Sequence, residues 1–319
     1  MRKAFLRAES TAHLPSPAAR MATTDRPQAG PLAGLRYLAV SVVLFGGIWP
    51  ISKNALDHGA SPLWFALSRA GLAAIVSAAL LLTLRRLRWP PRSDLPSVIA
   101  IGLLQLGCFF ALTHLALDYV PAGRTAILCN VTIFWLIPLS VLVLGDRVSP
   151  LQWIAAGVGL LGVVALMAPW SLIQGGSLGM LPGYALLLAA SLSWSLAILV
   201  TRARPPHRPV LELLPWCFGL GALLIAPFAL LHEPLGGIPA GALWQALFVG
   251  GVAAPIGTWA TVEAGRRLSG ILASLGFLAV PALGVLLSNL WLGEALGWDI
   301  LLGGGLIVIS VWLAARGTR

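Results

Sequence analysis

Long runs of apolar residues, interrupted by short polar stretches, recur along this chain from about residue 34 to the C-terminal end. A helix needs roughly 20 apolar residues to cross a bilayer. Backbone groups in lipid must be satisfied within the segment, which favours helices over open sheets. The pattern predicts an all-α integral membrane protein with ten spans, at residues 35–55, 62–84, 96–117, 122–144, 150–168, 179–201, 210–231, 241–262, 269–292 and 297–315.

The composition agrees with this pattern, because 58% of the residues are hydrophobic, 10% are charged, and the mean hydropathy is +0.88. A soluble domain is about one quarter charged, and so small a charged fraction could not cover a water-exposed surface. Residues 1–33 differ from the rest, since they are rich in arginine and proline. We expect them to form a disordered, basic cytoplasmic tail.

The basic residues predict the orientation of the chain in the membrane. If the N-terminus is cytoplasmic and the spans alternate, 18 of the 21 Lys and Arg fall on the cytoplasmic side, and Lys53, Arg69 and Arg124 do not. This is the positive-inside distribution, which accounts for the net charge of +10 without a nucleic-acid partner. The Arg- and Ala-rich composition is typical of bacteria. We therefore predict a multi-pass inner-membrane protein with both termini in the cytoplasm.

One octamer pattern occurs twice. "LSVLVLGD" ends at Asp146 and "LSNLWLGE" ends at Glu294, 148 positions later. The repetition predicts two five-span halves, at residues 34–170 and 179–315. Because five is an odd number, the second half must be inverted relative to the first. Inverted repeats are typical of secondary transporters, which bind substrate near the midplane between the repeats.

Asp146 and Glu294, with Pro281, are interpreted as structural corners of the repeat. Glycine before each carboxylate suits a left-handed helix end, and Ser149 is placed to cap a helix that begins at Pro150. A carboxylate beside that helix start would interact with its exposed N–H groups. The alternative is a direct role of the two carboxylates in proton or substrate coupling.

Several stretches resemble the EamA-type branch of the drug/metabolite transporter superfamily. They are "FGGIWPISKNAL" (45–56), "WFALSRAGLA" (64–73), "LALDYVPAGRTAIL" (115–128), "SWSLAILVTR" (193–202) and the long run at 280–313. In that last run Pro281 is followed by Gly293-Glu294 and then by Gly303, which matches the family pattern. The resemblance implies the inverted-repeat fold, alternating access, and a basic residue at position 69.

Arg69 is the first candidate for substrate binding. An ionisable side chain deep in a span costs free energy, so its presence there indicates a function. It could bind a substrate carboxylate, or it could reach the outer interface or the carbonyls at a helix end. His114 and Lys53 are candidates for coupling, since histidine titrates near neutral pH. The alternatives are a satisfied polar residue for His114 and a snorkelling side chain for Lys53.

Uncharged amides and tryptophans within spans complete the candidates for a substrate cavity. An amide in lipid must face a partner or a cavity, and indole rings could line an amphiphilic cavity or simply pack. The candidates are Asn130, Gln105, Trp49, Trp194 and Trp259. We identify no metal site and no cofactor.

These features favour a secondary transporter that exports small organic metabolites, with amino acids or their derivatives first because one deep arginine suits a carboxylate. Two alternatives stay open: an exporter of drug-like or aromatic compounds, and an intramembrane enzyme. The enzyme is disfavoured because the sequence contains neither an H-E-x-x-H motif nor a nucleophile elbow. The resemblance allows proton antiport or simple facilitation, and it leaves the oligomeric state open.

Overall fold

The structure, a computed structural model, describes residues 31–167, 178–268 and 276–316. All regular elements in these ranges are helical. Most of the predicted tail (1–33), the predicted end of the first half at 170 and the predicted start of the ninth span at 269 lie outside the described residues. Helix α1 begins at Pro31, three residues before the predicted boundary.

The helices follow the chain order predicted from the apolar runs. They are α1 (Pro31–Asp57), α2 (Pro62–Thr83), α3 (Arg92–Ala116), α4 in two pieces (Ala122–Leu128 and Thr132–Leu139, the latter prolonged by a π-helical turn, Ser140–Leu144), α5 (Pro150–Met167), α6 (Leu181–Ala203), α7 (Val210–His232), α8 (Ala240–Arg267), α9 (Ala279–Leu292) and α10 (Trp298–Arg316).

Seven of the described helices are long and apolar enough to cross a membrane, and the second piece of α4, α9 and α10 are shorter apolar helices. The outside of the bundle is also apolar, because side chains such as Val43, Ile75, Leu223 and Leu290 are exposed there. An apolar exterior of this extent suits lipid rather than water.

Helix α4 is not the continuous span that the sequence predicts for 122–144, because it is interrupted at Cys129–Val131. The Asn130 side chain donates from Nδ2 to the Ala126 carbonyl oxygen at 2.7 Å, which is an acceptor that a continuous helix would offer to a backbone N–H. Asparagine competes for backbone groups in this way. The break turns a polar residue toward the centre of the bundle.

Helix α8 contains a second irregularity, a π-helical section at Val249–Ala253 that ends just before Pro255. Proline has no N–H and its ring clashes with the carbonyl group four residues earlier, so the preceding turn widens. A longer π-helical section, Ala100–Cys108, lies within α3. By contrast, α1 continues through Pro50.

Helices α2 and α7 pack along one another in opposite directions. At the start of α2, the Trp64 indole Nε1 donates to the Glu233 carbonyl just after α7, at 2.9 Å. Beyond the end of α2, the Arg88 carbonyl accepts from the indole Nε1 of Trp216, near the start of α7, at 3.1 Å. Each helix therefore begins where the other ends.

Helices α5 and α10 form a second antiparallel pair. The Ser310 hydroxyl donates to the Ala155 carbonyl oxygen at 2.6 Å. Further along, the backbones of Gly162 and Gly303 come so close that a Cβ on Gly162 would lie 2.9 Å from the Gly303 carbonyl oxygen. Glycine is required here by this close approach.

The remaining packing places α1 against α8 and α9, and α6 against α3 and α4. Under the prediction of five helices per half, α6 is the counterpart of α1, and α3 and α4 are the counterparts of α8 and α9. Helix α6 contacts α3 and α4, just as α1 contacts their counterparts α8 and α9. The largest buried cluster, which includes Phe109, Phe110, Leu117, Leu213 and Phe218, lies between the halves.

The two glycines at the ends of the repeated octamers adopt the same backbone conformation. Gly145 has φ 68° and Gly293 has φ 69°, the left-handed region expected at a helix end. The predicted cap of α5 is also present, since the Gln152 N–H donates to the Ser149 hydroxyl at 3.4 Å and the Ser149 N–H donates to the Gln152 side chain at 2.9 Å. This is a capping box.

Candidate substrate-binding cavity

A cavity of about 290 Å³ lies in the middle of the bundle, between helices of both halves. Its volume is at the lower end of the range for small-molecule sites. The lining residues come from eight helices and from the segment that leads into α9. They are Phe45, Ile48, Trp49, Arg69, Leu106, Phe109, Phe110, Cys129, Asn130, Thr132, Trp194, Phe218, Ala254, Thr258, Thr261, Phe277 and Val280.

Arg69 is the one charged side chain among the described residues that line this cavity. It is 5% exposed, and its guanidinium carbon lies 3.8 Å from the centroid of the Phe110 ring. Within the described part of the chain, its Nε and Nη1 atoms donate to no acceptor. A buried cation is stable only when it is paired and hydrogen-bonded. The ring face supplies a weak attraction, so the geometry leaves room for an anion.

Asn130 lies at the break in α4 and is exposed to the cavity. Its Nδ2 atom is occupied by the Ala126 carbonyl, whereas its Oδ1 atom accepts no hydrogen bond from the described residues. Thr132 follows it, and Thr261 on α8 has a buried hydroxyl with no partner in the described part of the chain. These groups add hydrogen-bonding capacity beside a single positive charge.

Aromatic rings form most of the remaining wall. Trp49 and Trp194 line the cavity, and Trp194 meets Phe109 edge-on at 4.7 Å between ring centroids. Both tryptophans were candidates from the sequence. Sequence reasoning missed the lining phenylalanines, Phe45, Phe109, Phe110, Phe218 and Phe277. Phe109 and Phe110 lie about as deep within α3 as Arg69 lies within α2. This depth could have identified them as neighbours of Arg69.

Two other candidates do not reach the cavity. Trp259 is 41% exposed on the surface of α8 and packs edge-on against Tyr37 at 5.1 Å. Gln105 is partly buried in the π-helical section of α3 and is not among the described residues that line the cavity. Neither contacts Arg69 or Asn130 by any hydrogen bond.

His114 lies one side chain away from the cavity. It is 1% exposed, its Nδ1 lies 2.6 Å from the Phe110 carbonyl oxygen, and its ring packs against Phe65 and Phe110. Its Nε2 atom has no partner among the described residues. Phe110 therefore contacts both His114 and Arg69.

Lys53 lies at the end of α1, outside the cavity. Its ammonium donates to the Leu117 carbonyl oxygen at 2.9 Å and pairs with Asp57 at 3.3 Å. These contacts tie the ends of α1 and α3 together.

The two repeated carboxylates have different partners, although both lie beside helix ends. The Glu294 oxygens accept from the N–H groups of Ala122 and Gly123, at 2.7 and 2.8 Å, and so cap α4. Asp146 instead pairs with Arg202 at 2.7 Å. The sequence placed each carboxylate beside the helix that follows it, but Glu294 caps a helix of the other half.

An ion pair between the halves was not predicted. Arg124 at the start of α4 meets Asp299 at the start of α10 at 2.5 Å, and it also donates to the Leu166 carbonyl at 2.7 Å and the Tyr184 hydroxyl at 3.0 Å. Its location at a span end concealed this role. Among the described residues, no three His, Cys, Asp or Glu side chains are grouped to hold a metal ion.

The chain belongs to the EamA-like transporter family, whose model matches it twice, at residues 32–168 and 181–316. Each of these two segments contains one copy of the repeated octamer. The family defines the class of protein as a membrane transporter.

Individual relatives are transporters by name. The chain is 27% identical to the uncharacterized transporter YdeK of Bacillus subtilis over 87% of this chain and 95% of the relative. It is 25% identical to a probable terminal-alkyne amino-acid exporter of Streptantibioticus cattleyicolor over 88% and 93% of the two chains. It is 26% identical to a probable amino-acid metabolite efflux pump of Salmonella typhimurium over 89% and 95%.

A solved crystal structure has the same fold. It matches with a TM-score of 0.63 at 21% sequence identity, over 90% of this chain and 97% of the other.

Proposed function

We propose that this protein is a secondary transporter that exports small organic carboxylates, namely amino acids or their derivatives, by alternating access. The observation that carries the proposal is the buried, unpartnered guanidinium of Arg69 in a cavity between the halves. A carboxylate bound there would form charge-assisted hydrogen bonds. Asn130 and the aromatic wall would hold the rest of the molecule.

The proposal includes ten spans arranged as two inverted five-helix repeats. The antiparallel pairs α2–α7 and α5–α10 support it, because counterpart helices must run in opposite directions if one repeat is inverted. A shared cavity between the repeats is where such transporters bind substrate. The bundle could then open the cavity to either side by rocking one repeat against the other.

Placement in the bacterial inner membrane with both termini in the cytoplasm rests on the positive-inside distribution of arginines. Export as the direction is supported by the names of the Streptantibioticus and Salmonella relatives. His114 is our candidate for proton coupling, since it is buried behind Phe110 and its Nε2 atom is unpartnered in the described chain.

A second candidate function is the export of aromatic or drug-like compounds. The observation that favours it is the ring-rich wall formed by Trp49, Phe109, Phe110, Trp194 and Phe218. An uncharged aromatic ligand would stack on these rings without using Arg69. The two functions therefore differ in their dependence on that residue.

Counterflow in proteoliposomes tests the proposal. Labelled amino acids and acylated amino acids should exchange with their unlabelled pools, and Arg69→Ala should reduce this exchange roughly 10- to 100-fold, as expected for the loss of hydrogen bonds to a charged group. Arg36→Ala, an exposed arginine of α1, is the matched control and should exchange normally. Carboxylate exchange that survives Arg69→Ala would contradict the assignment. Exchange of uncharged aromatics alone would favour the second function.

A further inference from the structure

A second cavity, of about 430 Å³, lies between α4, α9 and α10. It shares three lining residues with the first cavity, namely Asn130, Thr132 and Phe277. The two spaces therefore meet at the break in α4, and a single molecule could occupy both.

The lining of the second cavity is apolar except for the two shared polar residues. Pro281, the predicted corner residue, contributes to it, and so do Val285, Ile300, Gly304 and Gly305. Ala282, Leu301 and Val308 also line it and are exposed on the surface of the bundle. The cavity thus opens between α9 and α10 onto the apolar exterior, and an alkyl chain suits it.

The charged side chains that line the two cavities indicate which polar groups the ligand carries. Arg69 favours one anionic group, and no carboxylate side chain is among the described residues that line either cavity. A free ammonium group on the ligand would be desolvated there without a carboxylate partner, which is costly. Acylation removes that charge and creates an amide N–H, for which the Oδ1 atom of Asn130 is available.

We propose that the preferred substrate is an amphiphilic monocarboxylate, an amino acid whose amine carries an acyl chain. Its carboxylate binds Arg69, its amide binds Asn130 at the junction, and its acyl chain fills the second cavity. This inference rests on the proposed function and narrows it from amino acids in general to their N-acyl derivatives.

A series of N-acylphenylalanines tests the inference. Counterflow of labelled N-acetylphenylalanine is inhibited with unlabelled phenylalanine and with its acetyl, hexanoyl and decanoyl derivatives. Free phenylalanine should be the weakest inhibitor. Inhibition should strengthen on the order of tenfold for every two added methylenes until the second cavity is full, because each buried CH₂ contributes to binding.

Gly305→Leu is the variant that isolates the second cavity. A Cβ at Gly305 meets no atom within 4 Å, so a leucine there can enter the space without a clash. The variant should lose the tenfold gains in inhibition with chain length, because the leucine side chain occupies space that the acyl chain would fill. Gly157→Leu is the matched control, because Gly157 lies 148 positions earlier, also has no neighbour within 4 Å of its Cβ, and lines neither cavity.

Longer acyl chains also partition into lipid, and this raises apparent inhibition equally for all variants. Comparing Gly305→Leu with Gly157→Leu therefore cancels the effect of partitioning. Ala282→Phe, which fills the cavity from α9, repeats the test if Gly305→Leu does not fold. Exchange of N-acetylphenylalanine that depends on Arg69 but shows no gain with chain length overturns this inference and leaves the proposed function intact. No exchange of any carboxylate overturns both.

Discussion

Two arginines lie inside this bundle under opposite conditions, Arg69 buried and Arg124 partly buried. Arg124, at the α4–α10 corner, pairs with Asp299 and donates to the Leu166 carbonyl and the Tyr184 hydroxyl. Arg69, in the central cavity, is more deeply buried, yet two of its nitrogens have no acceptor in the described chain. Both side chains carry the same charge, and they differ in whether the protein supplies the acceptors.

Under the proposed function, the difference separates a structural from a functional use of the same residue type. At the corner, the ion pair joins α4 to α10, and the Leu166 carbonyl and the Tyr184 hydroxyl accept hydrogen bonds from Arg124. In the cavity, the protein bears the cost of a desolvated cation that a ligand would offset. Sites for ligands are commonly less stable than the surrounding fold for this reason.

The largest effect is expected at the corner. Arg124→Leu leaves the Asp299 carboxylate buried without its partner, and breaking such a pair costs about 3–5 kcal/mol. The free energy of unfolding, measured by denaturation of the purified protein in mixed micelles, should fall by that amount. The double variant Arg124→Leu/Asp299→Leu should recover most of the loss, because replacing both members of a pair by apolar residues is often neutral.

If Arg124→Leu lowers the free energy of unfolding by less than about 1 kcal/mol, the pair contributes no more than an exposed salt bridge. The comparison between the two arginines would then fail, since Arg124 would be no better supported than Arg69.

The second prediction has the opposite sign. Arg69→Leu removes a buried cation that has no anionic partner in the described chain, so the free energy of unfolding should rise by about 1–3 kcal/mol in the absence of substrate. Arg69→Lys keeps the charge and should not stabilise the protein. A destabilisation by Arg69→Leu similar to that of Arg124→Leu would show that partners within the protein stabilise Arg69. The argument that a ligand supplies them would then fail.

Much of the helix order could be predicted from the sequence, because apolar runs are bounded by proline and charged residues. The predicted spans at 62–84 and 210–231 agree closely with α2 (Pro62–Thr83) and α7 (Val210–His232). The break in α4 could not be predicted, since "VTIFWLIPL" at 131–139 continues the apolar run. The Asn130 side chain competes with the backbone for a carbonyl group there. One such residue does not change the apolar pattern from which the spans were predicted.

The lining of the central cavity was predicted in part. Arg69 was a candidate because a charge deep in a span is rare and costly. Trp259 and Phe218 could not be sorted into exterior and cavity, because helices in lipid are apolar on every face and carry no amphipathic stripe. The contact between Glu294 and α4 was also hidden, since nothing local in the sequence indicates which distant helix start a carboxylate will cap.

The smallest expected effects come from the two carboxylates of the repeated octamer, which offer a matched comparison of partners. Each follows a left-handed glycine, Gly145 or Gly293, in the same backbone conformation. Glu294 accepts two backbone N–H groups at the start of α4, whereas Asp146 meets Arg202 where both side chains are partly exposed to the surroundings. Charged caps contribute about 1–2 kcal/mol, and exposed ion pairs about 0.2–1 kcal/mol.

Glu294→Gln should therefore lower the free energy of unfolding by about 1 kcal/mol, and Asp146→Asn should lower it by less than about half of that. Added salt separates the two further, because screening weakens the exposed pair and leaves the partly buried cap largely unchanged. If both variants lose equal amounts, and both losses vanish in salt, then the cap at α4 contributes no more than a surface contact. The two corners would then be alike in energy as well as in sequence, and the joint between the halves would depend on Arg124 and Asp299.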